Sequence, residues 1–170
     1  NGFITVADDI TIAHLAIINI GGFAADIQTY VSNPHTGLRV FNTYLNVLPD
    51  TSSCNDPRLT AKASFPVVVW VGNGTAGQGA GTAYFYNNVI GCGVYDGIEV
   101  SGPYVYIGQD AAGNPGRNWI GVNAANQPLP NGQSGVNLSL SGAANAVLAN
   151  NMIAYNTTWG VYLNQTQSGT

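Results

Sequence analysis

The side chains in this sequence able to carry acid–base chemistry are few: eight Asp/Glu, two His and four Lys/Arg in 170 residues. Adjacent carboxylates occur once, as Asp8-Asp9, with His14 a few residues on. The plain reading of that group is a turn before the alternating Ile10-Thr11-Ile12. Glycoside hydrolysis needs two carboxylates spaced to admit a water or a covalent intermediate, and Asp96 with Glu99 is the best such pair. Asp96, however, matches Trp159 in an internal repeat, directly before a glycine, which marks a corner of the chain. Asp26, His35 and Arg39 could together supply acid, base and oxyanion stabilisation, yet no nucleophile elbow accompanies them. The stretch from Val71 to Gly81 is glycine-rich but lacks the GK[ST] ending of a phosphate loop. Two cysteines, Cys54 and Cys92, are too few for a zinc site and form no CxxC pair. They leave open one disulfide or two buried thiols. On these grounds the sequence assigns no catalytic, cofactor-binding or metal-ligating residue.

Two further groups bear on recognition. Tyr84, Tyr86, Tyr95, Tyr104, Tyr106, Trp119, Trp159 and Tyr162 could form a strip on which sugars stack, although ring-on-ring stacking between neighbouring strands explains them more simply. Four N-x-[ST] sequons, at Asn73, Asn137, Asn156 and Asn164, permit N-glycosylation in a secreted protein of a glycosylating host.

The elements that must position these residues are strands. Gly supplies 22 residues, Pro eight and Asn about 20, against five Lys, Glu and Arg together, so few segments can sustain a helix. What recurs is a short alternating stretch bounded by Gly, Asn or Asp, as in Ile4-Thr5-Val6, Leu38-Arg39-Val40, Val67 to Val71, Ile98-Glu99-Val100 and Val161-Tyr162-Leu163. At 7% charged, against roughly 25% in ordinary soluble domains, and with a net charge of −4, the chain has no basic reserve for phosphates, which excludes nucleic acid. No apolar stretch approaches the roughly 18–20 residues of a membrane helix, so membrane insertion is not expected. With 45% hydrophobic residues the chain can bury a core, and one domain spanning residues 1–170 is expected.

Self-similarity orders the strands. Asn87 to Val100 lies without gaps on Asn150 to Leu163, sharing N-N-x-I, a six-residue connection, and then G-[IV]-x-[VL]. Gly135-Val136-Asn137-Leu138 and Gly37-Leu38-Arg39-Val40 repeat the second half. Gly135 and Gly160 lie 25 residues apart, while Gly97 and Gly135 lie 38 apart, which implies an inserted loop at about 109–133. A recurrence of 20–25 residues made of short strands is what stacked coils require, since one coil alone cannot bury its inward side chains. Period-2 alternation then turns Ile98, Val100, Val136, Leu138, Val161 and Leu163 inward. The glycine before each pair allows a sharp corner, and the second Asn of N-N-x-I, at Asn88 and Asn151, is placed to stack as an internal amide ladder.

With these repeats on the page, residues 87–170 resemble the right-handed parallel β-helix repeats of large bacterial secreted and cell-surface proteins. The matching element is Ile107-Gly108-Gln109-Asp110 to Gly113, followed by Leu129-Pro130-Asn131 to Gly135-Val136. Residues 3–22 are similar in style to pectate-lyase-like coils, while 48–64, with Pro49, Cys54 and Pro57, departs from any repeat and reads as an irregular loop. The resemblance implies an all-β, right-handed parallel β-helix (solenoid) of about six or seven coils with inserted loops. It fixes no activity, because this architecture hosts lyases, hydrolases, tailspikes, adhesins and structural shafts.

The function expected first is a non-enzymatic extracellular structural protein at the cell surface, either a subunit of a self-assembling filament or the shaft of a surface protein. The sequence begins within a few residues of one strand and ends seven residues after Leu163. Uncapped ends of this kind favour end-to-end self-association into a homopolymer. The alternatives are a glycan-binding adhesin or tailspike segment and, last, a polysaccharide lyase or glycoside hydrolase.

Overall fold

A computed structural model describes residues 2–5, 7–22, 25–29, 37–70, 82–101, 104–140 and 146–165. Its described residues are all-β and contain no helix. The strands come in triplets: β1 (Phe3–Thr5), β2 (Thr11–Ala13), β3 (Ala16–Ile17); β4 (Ala25–Thr29), β5 (Leu38–Phe41), β6 (Tyr44–Leu45); β7 (Phe65–Trp70), β8 (Ala83–Tyr86), β9 (Val89–Ile90). Then follow β10 (Ile98–Ser101), β11 (Val105–Ile107), β12 (Trp119–Ile120); β13 (Val136–Leu140), β14 (Ala146–Leu148), β15 (Met152–Ile153); and β16 (Val161–Gln165). Each triplet gives one strand to each of three parallel sheets, ordered β1-β4-β7-β10-β13-β16, β2-β5-β8-β11-β14 and β3-β6-β9-β12-β15. This is the connectivity of a β-solenoid, in which the chain visits the sheets in rotation.

Register lines up the inward side chains in columns. In the six-stranded sheet Phe3, Ile27, Val67, Ile98, Val136 and Val161 share one column, and the next inward position runs through Val69, Val100, Leu138 and Leu163. The second sheet contributes Ile12, Val40, Phe85, Ile107 and Leu148, and the third Ile17, Leu45, Ile90, Ile120 and Ile153. These columns form one continuous core. Ile98, Val100, Val136 and Leu138 are fully or almost fully buried, whereas Val161 and Leu163, in the same columns, are 42% and 64% exposed. They are the last residues of their columns, so among the described residues no strand covers them from above.

The corners explain the asparagines. Many of the described changes of sheet place a residue in the left-handed region, which Asn tolerates better than most residues. Between the second and third sheets Asn42, Asn87 and Asn150 take that conformation, with φ of 52°, 57° and 60°. The repeated glycines work differently. Gly97, Gly135 and Gly160 do not have positive φ. Gly97 and Gly135 are glycine because an added Cβ would lie 2.7 Å and 2.8 Å from the carbonyl oxygens of Gly135 and Gly160 in the coil above.

Two irregular regions are structured by what they cover. Residues 46–64 contain no strand, and their Val47 and Leu59 pack with Val89, Cys92 and Leu129 into a second apolar cluster outside the third sheet. The stretch 109–133, expected as one inserted loop, is two excursions with β12 between them. Each is closed by an isolated antiparallel bridge, Gln109 to Pro115 and Val122 to Pro128.

Candidate functional site

Chemistry-bearing side chains are largely committed to holding the coils. Asp96 is buried, and its Oδ1 accepts from the Ser134 N–H at 2.8 Å while its Oδ2 accepts from Asn137 Nδ2 at 3.0 Å. It clips the third turn's corner to the coil above rather than facing solvent. Glu99, beside it on the outer face, has its carboxyl pushed above the usual range, chiefly by burial and then by the Asp96 charge. Asp9 is exposed and lies 3.5 Å from the Arg39 guanidinium, and the His14 ring meets Phe41 edge-on, with centroids 5.7 Å apart. His35 and the Val71–Gly81 stretch lie outside the described residues. Asp26 is buried with neither carboxyl oxygen hydrogen-bonded. Burial pushes it up to about 8, and the neighbouring Asn46 N–H, itself bonded to Ile17 O at 2.8 Å, offsets only part. Among the described residues no three His, Cys, Asp or Glu are placed to hold a metal ion.

The best-built polar feature is an internal ladder between the second and third sheets. Asn88 Oδ1 accepts from the Thr43 N–H at 3.0 Å and from Thr43 Oγ1 at 2.7 Å. Asn118 Oδ1 accepts from the Asn88 N–H and Nδ2, both at 3.0 Å, and Asn118 Nδ2 donates to Asn151 Oδ1 at 2.9 Å. Each Nδ2 also reaches a backbone carbonyl: Val40 from Asn88, Phe85 from Asn118 and Ile107 from Asn151. Asn88 and Asn151 are therefore rungs of one ladder, separated by Asn118. The sequence comparison missed Asn118 because no second Asn precedes it; the excursion before it displaces the N-N pair. A second ladder at the next corner joins the Gly93 N–H to Asn131 Oδ1 at 3.0 Å and Asn131 Nδ2 to Asn156 Oδ1 at 2.8 Å.

Those bonds bear on the sequons. Asn137 Nδ2 is held by Asp96, and Asn156 Nδ2 donates to the carbonyls of Ile120 and Ala154, each at 3.2 Å. Asn73 lies outside the described residues, and Asn164 falls on β16. Cys54 and Cys92 form a disulfide that ties the 46–64 loop to the third sheet.

The aromatic residues pair along the solenoid axis. Tyr84 stacks on Tyr106 and Phe41 on Tyr86, both with centroids 4.9 Å apart and nearly parallel rings. In each pair one face of each ring lies against its partner, one coil spacing apart, and Trp159 and Tyr162, with centroids 6.3 Å apart and rings 18° from parallel, are both exposed.

Among the described residues the exposed large apolar side chains include Val161, Leu163 and Trp159 (58%) on and beside the last strand and Phe3 (42%) on the first, with Leu15 (43%) and Val94 (47%) elsewhere. No Asp, Glu, Lys or Arg occurs after Arg117. β16 therefore presents a five-residue edge without charge, Pro or covering strand among the described residues, although edge strands are commonly blunted by such devices. No family model, curated protein or solved structure matches the chain.

Proposed function

We propose that this chain is a structural subunit of an extracellular rod: a right-handed parallel β-helix, its sixth coil opened by β16, that associates end to end with further copies. The observation carrying this reading is that the exposed apolar residues of the upper end, Val161 and Leu163, continue the columns that Val136 and Leu138 bury below them. Supporting it, the corner amides and Asp96 are engaged in coil-to-coil hydrogen bonds. Right-handedness follows the rule for parallel crossovers. The extracellular placement rests on the disulfide, a bond of oxidising compartments, and on a surface nearly free of charge.

Electron microscopy of the purified protein, paired with intact mass, tests the proposal. Uniform filaments at a subunit mass near that of the sequence, or above it by glycan, are the expected result. Discrete monomers at micromolar concentration would refute self-association and return the weight to an adhesive module.

A further inference from the structure

Asn137 carries an unmet bond inside the stack, on a strand flanked on both sides by others. Its Nδ2 donates to Asp96 Oδ2 at 3.0 Å, whereas its Oδ1 is buried and accepts no hydrogen bond. A buried acceptor left unpaired is destabilising, and folded proteins normally supply a donor. The side chain next to it in register is Glu99, since β10 and β13 pair in parallel with Glu99 on Asn137. Neighbouring strands lie about 4.8 Å apart and register partners point to the same face, so the Glu99 carboxyl has the reach to meet Asn137 Oδ1. Ionised, that carboxyl only accepts; with a proton it donates.

The surroundings of Glu99 oppose its charge. On its other side β7 places the buried Val68, and the same outer column continues through Gln28 on β4 and Tyr162 on β16, neither of them an ion. Asp96, three residues back, is the charged neighbour, and both its oxygens already accept from nitrogen, at Ser134 and Asn137. Tyr95, between them and the corner, packs its ring against Phe65. Arg39 and Arg58 pair with other carboxylates, and no Lys, Arg or His pairs with Asp96 or Glu99 among the described residues. Two close carboxyls without a cation favour one proton between them.

We propose that Glu99, Asn137 and Asp96 form a proton-operated clip between the coils of β10 and β13. With a proton on Glu99, its O–H donates to Asn137 Oδ1, and the amide bridges one neutral and one charged carboxyl. When the proton leaves to solvent, the amide stands between two anions, Oδ1 has no donor, and the pairing of β10 with β13 loosens there. In keeping with this, burial first and the Asp96 charge second raise the Glu99 carboxyl above its ordinary 4.5. The folded chain then holds a proton that the unfolded chain has released. The stabilisation is complete below about pH 4.5 and is lost as pH rises through the raised folded value.

An NMR titration of the folded chain tests the clip. It follows Glu99 Cδ, the Asn137 side-chain amide, and exchange of the Ile98 N–H, which is bonded to Gly135 O at 3.0 Å, corrected for the intrinsic pH dependence. The expected result is a Glu99 midpoint above 4.5 and an Asn137 amide that moves with the same midpoint. Opening at Ile98 should rise across it on the order of tenfold, the effect of about one hydrogen bond. Glu99→Gln keeps a donor at every pH and should abolish both the Asn137 midpoint and the Ile98 rise, while Asp26→Asn, which removes the other raised carboxyl, should leave them in place. A Glu99 midpoint at or below 4.5, an Asn137 amide that stays still while Glu99 titrates, or an undiminished Ile98 rise in Glu99→Gln overturns the clip. If Glu99→Gln does not fold, the titration of the unmodified chain decides alone. None of these readouts depends on association between copies.

Discussion

Replacing Asn118 by Ala removes the middle of the internal ladder and measures what the amides contribute. The side chain is fully buried and makes four hydrogen bonds, accepting twice from Asn88 and donating to Phe85 O at 2.8 Å and Asn151 Oδ1 at 2.9 Å. Asn88 Nδ2 keeps its second partner, Val40 O at 2.9 Å. The Asn88 N–H and Asn151 Oδ1 lose this partner, whereas the Phe85 carbonyl keeps the Gly108 N–H at 2.8 Å. A buried polar group without a partner costs about 1–3 kcal/mol, so two such groups give roughly 4 kcal/mol. For a chain of this size that lowers the midpoint of thermal unfolding by about 8–16 °C. Because solenoid coils depend mainly on nearest neighbours, amide exchange at Asn88 is expected to accelerate more than exchange at Ile12. Asn114→Ala, in the exposed excursion, serves as the comparison. A midpoint shift for Asn118→Ala below about 3 °C, with Asn88 exchange unchanged, would refute the view that the ladder holds the coils.

Reduction of the Cys54–Cys92 bond, which closes a sequence separation of 38, is expected to lower stability by about 4 kcal/mol; denaturant unfolding with and without reductant checks it. Asp26 makes stability fall with pH. Its folded value is raised to about 8 from 3.8, so the folded chain holds a proton the unfolded chain has released. The associated stability is complete below about pH 4 and lost progressively as pH rises to about 8. Asp26→Asn should flatten that slope in unfolding curves taken across the window, and an unchanged slope would count against the buried, unpaired carboxyl. Asn131-Gly132 is a dipeptide prone to deamidation, but Asn131 is held by Gly93 and Asn156, and the Gly132 N–H is bonded to Gly93 O at 2.9 Å. Peptide mass mapping after prolonged incubation is expected to find Asn131 intact in folded protein and deamidated after unfolding.

The strands and the inward columns were legible because they rest on period 2 and on a repeat visible in one sequence. Ile98, Val100, Val136 and Leu138 follow from alternation alone. Their counterparts Val161 and Leu163 follow equally, yet exposure depends on what lies above them, which no local pattern contains. The two excursions were hidden for another reason. Ile107-Gly108-Gln109-Asp110-Ala111-Ala112-Gly113-Asn114-Pro115 and Ile120-Gly121-Val122-Asn123-Ala124-Ala125-Asn126-Gln127-Pro128 are copies at a spacing of 13, a period too short for a coil. Both fold alike. Asp110 Oδ1 accepts from the N–H groups of Ala112 and Asn114, and Asn123 Oδ1 from those of Ala125 and Gln127. That short repeat was the available signal for β12 and hence for Asn118. Asp96 was legible as well: its match to Trp159 before a repeated glycine marks a corner, and there it takes two donors from the next coil.

The corner column of the six-stranded sheet shows how closely coil stacking constrains the chain. By register it runs through Gly2, Asp26, Pro66, Gly97, Gly135 and Gly160. Where glycine lies beneath glycine, the coil above brings a carbonyl to within 2.8 Å of the missing Cβ, and a side chain has no place. Asp26, with Pro66 next in the column, carries a side chain there, and its buried carboxyl has no hydrogen-bond partner. Ordinary surfaces are relieved of such constraint by charges and water at the strand edges. The depletion of charge follows from the same economy: the described corner polar groups, Asn88, Asn118, Asn131 and Asp96, are spent on hydrogen bonds between coils.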